Sequence, residues 1–351
     1  MARVDVARIN LAMRITLIDD SIPFDGFTPS GQPLGGPEKA FASLPGALVR
    51  RGHQVTAINR CRYRLVVEGA QWLPWDEPRP AQTDVLIAFR KPALLDAVRQ
   101  SGKRLLWVTA PPRYLDQPAN RKILESFRPR LALVGRIQKT QWSNWLPAAP
   151  VMPGIRPEYL LDAPTVPCAP PRAVATIHPS HGLDWLIELW RSQIRPQVPQ
   201  AELHVFSAIL DKGAQGEEVP EAVRPVLARA LAAKADGVVI RKPRNDGGMA
   251  EEYRMARVHL HPGHADDLGC FTLTESQAAG LPAVARPLGA APERLRDGET
   301  GHIVPDEAAF ANVARLLLTD DTMFWSMNQA ARTGTRRSWD DAAADFESIW
   351  A

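Results

Sequence analysis

Short apolar runs alternate with amphipathic stretches along most of this chain, a pattern that predicts α/β architecture with parallel sheets. Arg14–Ile18 predicts a first strand that ends in Asp19-Asp20. A Gly- and Pro-rich loop from Ser21 to Leu34 follows, and Gly35-Gly36-Pro37 opens a helix running through Arg51. Pro37 near the helix start and Gly52 just past its end are ordinary punctuation, whereas Pro45-Gly46 inside it predicts a kink. Further strands are expected at Val55–Asn59, Val85–Phe89, Arg104–Val108 and Leu131–Val134, with helices near Pro92–Gln100 and Arg136–Trp145.

Val151 to Pro171 is rich in proline and has little periodicity, so it predicts a linker. A second alternating series follows, with strands expected at Ala173–Ile177, Glu202–Phe206, Val238–Arg241, Val258–His261 and Ala283–Ala285. Helices are expected near Leu183–Arg191, Pro220–Ala233, Gly248–Ala256, Thr274–Ala279, Asp306–Leu318, Asp321–Arg332 and Trp339–Trp350. The reading is two Rossmann-like domains, 1–155 and 156–335, with residues 1–12 an extension and 336–351 a final helix. Ligands of open α/β sheets bind beyond the carboxyl ends of the strands, so the cleft between the halves is the expected site.

At 351 residues the chain is too long for one growing core, which agrees with two domains. A net charge of +3 gives no reason to expect a nucleic-acid partner. The three cysteines, Cys61, Cys168 and Cys270, have neither metal-ligand nor redox spacing. Arg3, Asp5, Arg8 and Asn10 interrupt the first dozen residues, and no apolar run is long enough to span a bilayer. The expected location is the cytoplasm, with room for peripheral contact at the inner face of a membrane.

The segment from His264 to Pro282 carries the most chemistry. It leaves a predicted strand and enters a helix, whose unpaired N–H groups suit a diphosphate. Asp267 on the loop and Glu275 in the first helical turn are acceptors for sugar and ribose hydroxyls. Thr272-Leu-Thr-Glu275 also matches a capping box, which would make that carboxylate structural.

Asp267, seven residues, Glu275 and then Ala278-Ala279-Gly280-Leu281-Pro282 resembles the C-terminal motif of the family-4 retaining glycosyltransferases of the GT-B fold. Gly289-Ala290-Ala291-Pro292-Glu293 and Asp297-Gly298-Glu299-Thr300-Gly301 resemble that family's next loops. Gly35-Gly36-Pro37-Glu38-Lys39, with Arg51-Gly52-His53-Gln54-Val55 one helix later, resembles its N-terminal signature. Ser338-Trp339-Asp340 resembles the start of its last helix, which crosses back onto the first domain. The resemblance implies two facing Rossmann-like domains and a metal-independent hexosyltransferase with no cofactor. It also implies a UDP- or GDP-linked sugar donor, and a glycan or lipid-linked acceptor in cell-envelope polysaccharide synthesis. Glu275 would hold ribose hydroxyls, and Asp267 would stand near the donor sugar. Amides around Cys270, Phe271 and Thr272 would meet the distal phosphate, and Gly35 and Gly36 would let the first loop approach it closely.

There are departures from the pattern. Thr176 and His181 stand where the family usually carries Arg and Lys, leaving His181 to donate to phosphate, more strongly when protonated. Lys242 or Arg244 would add charge. Trp107-Val108-Thr109-Ala110 lacks the histidine common near the transferred sugar, and the first motif carboxylate is Asp instead of Glu. A nucleotide-sugar epimerase, a glycosyl phosphorylase and a degenerate nucleotide-sugar-binding protein therefore remain as alternatives. Metal hydrolysis is disfavoured, because His261 and His264 have no evident third ligand in the sequence.

Overall fold

The computed structural model describes residues 12–334 and 336–351. All but the last residue of the expected 1–12 extension lies outside them, as does Thr335. Among the described residues, fourteen strands form two sheets. The first contains β1 (Arg14–Ile18), β2 (Gln54–Asn59), β3 (Leu65–Val67), β4 (Ala70–Pro74), β5 (Gln82–Phe89), β6 (Gln100–Val108), β7 (Arg130–Leu133) and β8 (Ala148–Pro150). Its order is β3-β4-β2-β1-β5-β6-β7-β8, and only the β3–β4 pair is antiparallel. The second contains β9 (Arg172–Ala175), β10 (Glu202–Phe206), β11 (Val238–Arg241), β12 (Val258–His261), β13 (Ala283–Ala285) and β14 (Gly301–Ile303). Its order is β11-β10-β9-β12-β13-β14, parallel throughout. Helices cover both faces of such sheets, which is why central strands such as β12 and β13 are buried along their whole length.

The two-sheet GT-B architecture agrees with the sequence expectation, and several local expectations do not. The helix expected from Gly35 to Arg51 spans Gly36–Arg50, with Pro45 inside it. A 3-10 turn, Pro92–Asp96, and an early start of β6 at Gln100 replace the helix expected to reach Gln100. The helix from Arg136 stops at Thr140. Leu183–Leu189 passes into a π-helical turn, Trp190–Ile194. Strands β3, β4, β8 and β14 were not foreseen, nor were the helices Thr28–Gly31, Pro118–Phe127, Pro157–Leu160, Ala208–Ala214 and Ala291–Arg294.

The terminal helix, Trp339–Trp350, belongs to the core of the first domain. Ser338 and Asp341 cap it reciprocally. Its Trp339, Phe346, Ile349 and Trp350 pack among Phe41, Phe89 and Trp107. The rings of Phe41, Phe89, Trp107 and Phe346 follow edge to face at 5.3, 5.0 and 4.9 Å, a preferred aromatic geometry. Arg51 and His53 donate to Glu347 from the other side. No described helix is long and apolar enough to cross a membrane.

Candidate active site

A cavity of about 580 Å³ lies where the carboxyl ends of the two sheets face each other. The first domain contributes Gly35 and Gly36 at the start of the Gly36–Arg50 helix, Arg90 beyond β5 and Thr109 beyond β6. The second contributes His181 after β9, Ser207 after β10, Arg244 after β11, and Asp267, Phe271, Thr272 and Glu275 after β12. This is the placement the topology requires of a ligand site.

Of the anticipated residues, Gly35, Gly36, His181, Asp267, Phe271, Thr272 and Glu275 all line the cavity. Cys270 is buried just behind its wall at 1% exposure. Lys242 is the exception: it is exposed and does not line the cavity, whereas its neighbours Pro243 and Arg244 do. Gly36 is glycine for a different reason from close approach to phosphate alone. A Cβ there would come within 2.6 Å of the Phe271 ring of the facing domain, so the two domain walls touch at this point.

The helix that carries the motif spans Phe271–Ala278 and starts three residues earlier than its pattern predicts. No capping box forms. Cys270, in the left-handed conformation (φ 43, ψ 41), is the N-cap without a side-chain cap bond. Thr272 Oγ1 donates instead to Thr176 O at 3.0 Å, tying the helix to the end of β9. Glu275 is freed from capping, and its Oε1 pairs with Lys39 Nζ at 2.5 Å. Lys39 Nζ also donates to Asp246 Oδ1 at 3.0 Å and to Tyr159 OH at 3.3 Å. Arg156 Nε lies 2.7 Å from the other Asp246 oxygen, completing a buried network across the domains. Burial alone would lower the Lys39 pKa, yet Glu275 and Asp246 together hold the ammonium above the ordinary lysine value.

Sequence reasoning quoted Lys39 within a signature and gave it no task. Its one visible signal is a charge directly before the largely apolar run Ala40–Leu44, on a helix that must bury that face. Arg90 was also missed; its guanidinium lies against Glu38 at 2.8 Å and Asp19 at 3.6 Å.

His181 sits on the cavity-facing loop after β9, as expected, with its ring stacked on His264 at 4.3 Å. Burial first, and then the His264 charge, push the His181 pKa below the ordinary histidine value. Asp267 Oδ1 accepts from the Cys270 amide at 2.9 Å, and Oδ2 lies 4.0 Å from His261 Nε2. His261 thus has Asp267 and Cys270 for neighbours, a pairing hidden in the sequence.

Further contacts hold the domains together around the cavity. Arg113 and Asp266 form a two-bonded ion pair at 2.8 and 2.6 Å. The buried Arg294 guanidinium donates to Val134 O at 2.7 Å and to Gly269 O at 3.1 Å. Glu293 accepts the Arg136 and Ile137 amides at the start of the Arg136–Thr140 helix.

Comparison with known proteins identifies residues 173–320 with the family described as glycosyl transferases group 1. The D-inositol 3-phosphate glycosyltransferase of Streptomyces coelicolor is 30% identical over 187 residues, 48% of this chain and 40% of that relative. The phosphatidyl-myo-inositol mannosyltransferase of Mycobacterium leprae is 35% identical over 109 residues, 30% of this chain and 29% of that relative. The chain thus spans less than half the length of these relatives. Among solved structures, sucrose-phosphate synthase of Thermosynechococcus elongatus superposes with a TM-score of 0.71. That likeness covers 96% of this chain and 98% of the other at 14% identity. Anabaena HepE, solved with UDP-glucose, superposes with a TM-score of 0.68, covering 96% and 99% of the two chains at 13% identity. At such identities the likeness speaks for the fold alone. Residues 173–320 thus match the family described as glycosyl transferases group 1, and the chain as a whole shares the two-sheet fold of these solved structures.

Proposed function

We propose that this chain transfers a hexose from a UDP- or GDP-linked donor to a glycan or lipid-linked acceptor, retaining the anomeric configuration and using no metal ion. One observation carries the reading: the Asp267 and Glu275 carboxylates and the start of the Phe271–Ala278 helix face one cavity between the sheets. The helix start would take the diphosphate, Glu275 the ribose hydroxyls and Asp267 the sugar. The leaving diphosphate would help accept the proton of the attacking hydroxyl, so no protein nucleophile is required. Charge growing on it would be met by fixed amides and nearby cations, which need no reorganisation. Inositol phosphates enter as test acceptors through the names of the relatives above, and a cell-envelope saccharide is the broader class.

The test is nucleoside diphosphate release from UDP- and GDP-sugars with an acceptor panel in EDTA, followed by the anomeric signal of the product. Turnover undiminished by the chelator and a retained anomer are expected. Activity that vanishes in EDTA and returns with Mn²⁺, or an inverted product, overturns the reading.

His181 makes a separate prediction. An anionic diphosphate favours the protonated imidazole, whose pKa burial holds low in the free protein. Donor affinity should therefore rise as pH falls below about 6.5. His181→Ala should weaken binding about tenfold at low pH and shrink this gain. A variant with the wild-type pH profile would make His181 an ordinary loop residue.

A further inference from the structure

The walls of the cavity meet at two helix starts. Gly36 and Phe271 are the first residues of the Gly36–Arg50 and Phe271–Ala278 helices, and they pack against each other across the domain boundary. Residues three or four positions further along a helix lie on the same face, one turn in. Here those residues are Lys39 and Glu275, so the faces that meet at Gly36 and Phe271 meet again as a buried ion pair. Both side chains line the cavity. The first domain thus reaches across to the carboxylate on which donor binding depends.

The surroundings of Glu275 make its charge conditional. Asp246 and Tyr253 face it from the Asp246–Met255 helix, and Tyr159 from the Pro157–Leu160 helix. Lys39 brings the positive charge to this group, because Arg156 is occupied by the other Asp246 oxygen and by Glu158. Burial pushes the Glu275 pKa above the ordinary glutamate value, against the pull of Lys39 and with Asp246 adding to the rise. Without the ammonium, a buried carboxylate beside Asp246 would take up a proton sooner than stay charged. The acid would then present a donor where ribose hydroxyls need acceptors.

We propose that Lys39 is a positioning residue of the donor site: from the first domain it holds the Glu275 carboxylate charged and in place to accept the ribose hydroxyls. The inference rests on the reading that Glu275 binds ribose, and adds to it the need for a cation from the opposite domain. An ionised carboxylate has about four acceptor sites, so Lys39 Nζ on Oε1 leaves room for two hydroxyls. Asp246 is poorly placed to take over, since its two oxygens already face Lys39, Tyr159 and Arg156. Because one contact both joins the domains and prepares the carboxylate, donor binding and domain contact reinforce each other, as linkage requires.

The experiment measures ribose recognition as a ratio of affinities, UDP over 2′-deoxy-UDP and GDP over 2′-deoxy-GDP, by calorimetry from about pH 6 to about pH 9. A lysine that only stabilises the fold would change both affinities alike and leave the ratio unmoved. The ratio also cancels His181, which senses the phosphates common to both ligands. The natural chain should prefer the ribonucleotide by about tenfold or more. Lys39→Met keeps the length of the side chain without its charge. In that variant the preference should drop by about fivefold or more at the acid end and recover as the pH rises and Glu275 loses its proton. Lys39→Arg should keep the natural profile. A Lys39→Met preference that equals the natural one at every pH, or is lost equally at every pH, overturns the proposal and leaves the ribose reading standing. A natural chain with no preference overturns the ribose reading and the proposal with it. If Lys39→Met does not fold, a crystal structure of the natural chain with the bound nucleotide decides. Lys39 and the ribose hydroxyls together on Glu275 support the proposal, and a lysine that has left the carboxylate overturns it.

Discussion

Replacing Lys39 by alanine should destabilise the folded protein by about 3–5 kcal/mol, the usual effect of removing one partner from a buried ion pair. Lys39 Nζ is the cation between Glu275 Oε1 at 2.5 Å and Asp246 Oδ1 at 3.0 Å, and these three side chains are 9%, 12% and 4% exposed. Asp246 keeps Arg156 in the variant, but Glu275 is left as a buried carboxylate facing a cavity where the ammonium was. Arg64→Ala is the comparison, because its pair with Glu77 lies at the surface and should be worth no more than about 1 kcal/mol. Urea unfolding of both variants beside the wild type provides the measurement. If the two losses are equal, Lys39 does not hold the domains together.

The second large effect concerns affinity. Glu275→Gln should weaken nucleotide-sugar binding about ten- to a hundredfold, since a hydrogen bond to a charged group is worth roughly 1.5–3 kcal/mol. The structure alters what must be controlled for. Because Glu275 pairs with Lys39 instead of capping its helix, the Gln variant should also lose stability. Asp246→Asn removes the other carboxylate from the same lysine and separates the two effects. Both variants should melt lower, and only Glu275→Gln should lose the donor by calorimetry. Donor loss that tracks melting temperature equally in the two variants would reduce Glu275 to a structural group.

The sheets were legible because parallel strands, buried on both faces, are uninterrupted apolar runs; β10 to β13 coincide with the expected segments to the residue. The β3–β4 hairpin was not. Its turn is Glu68-Gly69, with φ of 48° and 81°, the two positive values such a turn needs, but built without the usual Asn or Asp. The motif helix starts early because its first turn is set by the backbone of Cys270 and by the Thr272 bond to β9, neither of which leaves a local pattern. At the site, the cavity-facing loops could be anticipated, since strand ends fix them. The Lys39–Glu275 pair could not, because it joins residues whose proximity exists only once the domains have met. Thr272-Leu-Thr-Glu275 satisfied a local rule, and tertiary partners took the Thr272 and Glu275 side chains.

The return of the Trp339–Trp350 helix to the first domain has a consequence for the order in which the protein is made. The second domain's core draws on residues from Ala173 to Met327, a continuous stretch that can close as soon as it has been synthesised. The first domain's core needs Trp339, Phe346 and Trp350 against Phe41, Phe89 and Trp107. That face stays uncovered until a helix that follows the whole second domain in sequence has been made. Domains ordinarily fold from the N-terminus during synthesis. Here the second domain can close first and the first depends on Trp339–Trp350, so a chain cut short of Trp339 should expose the apolar face of Phe41, Phe89 and Trp107 and aggregate more readily.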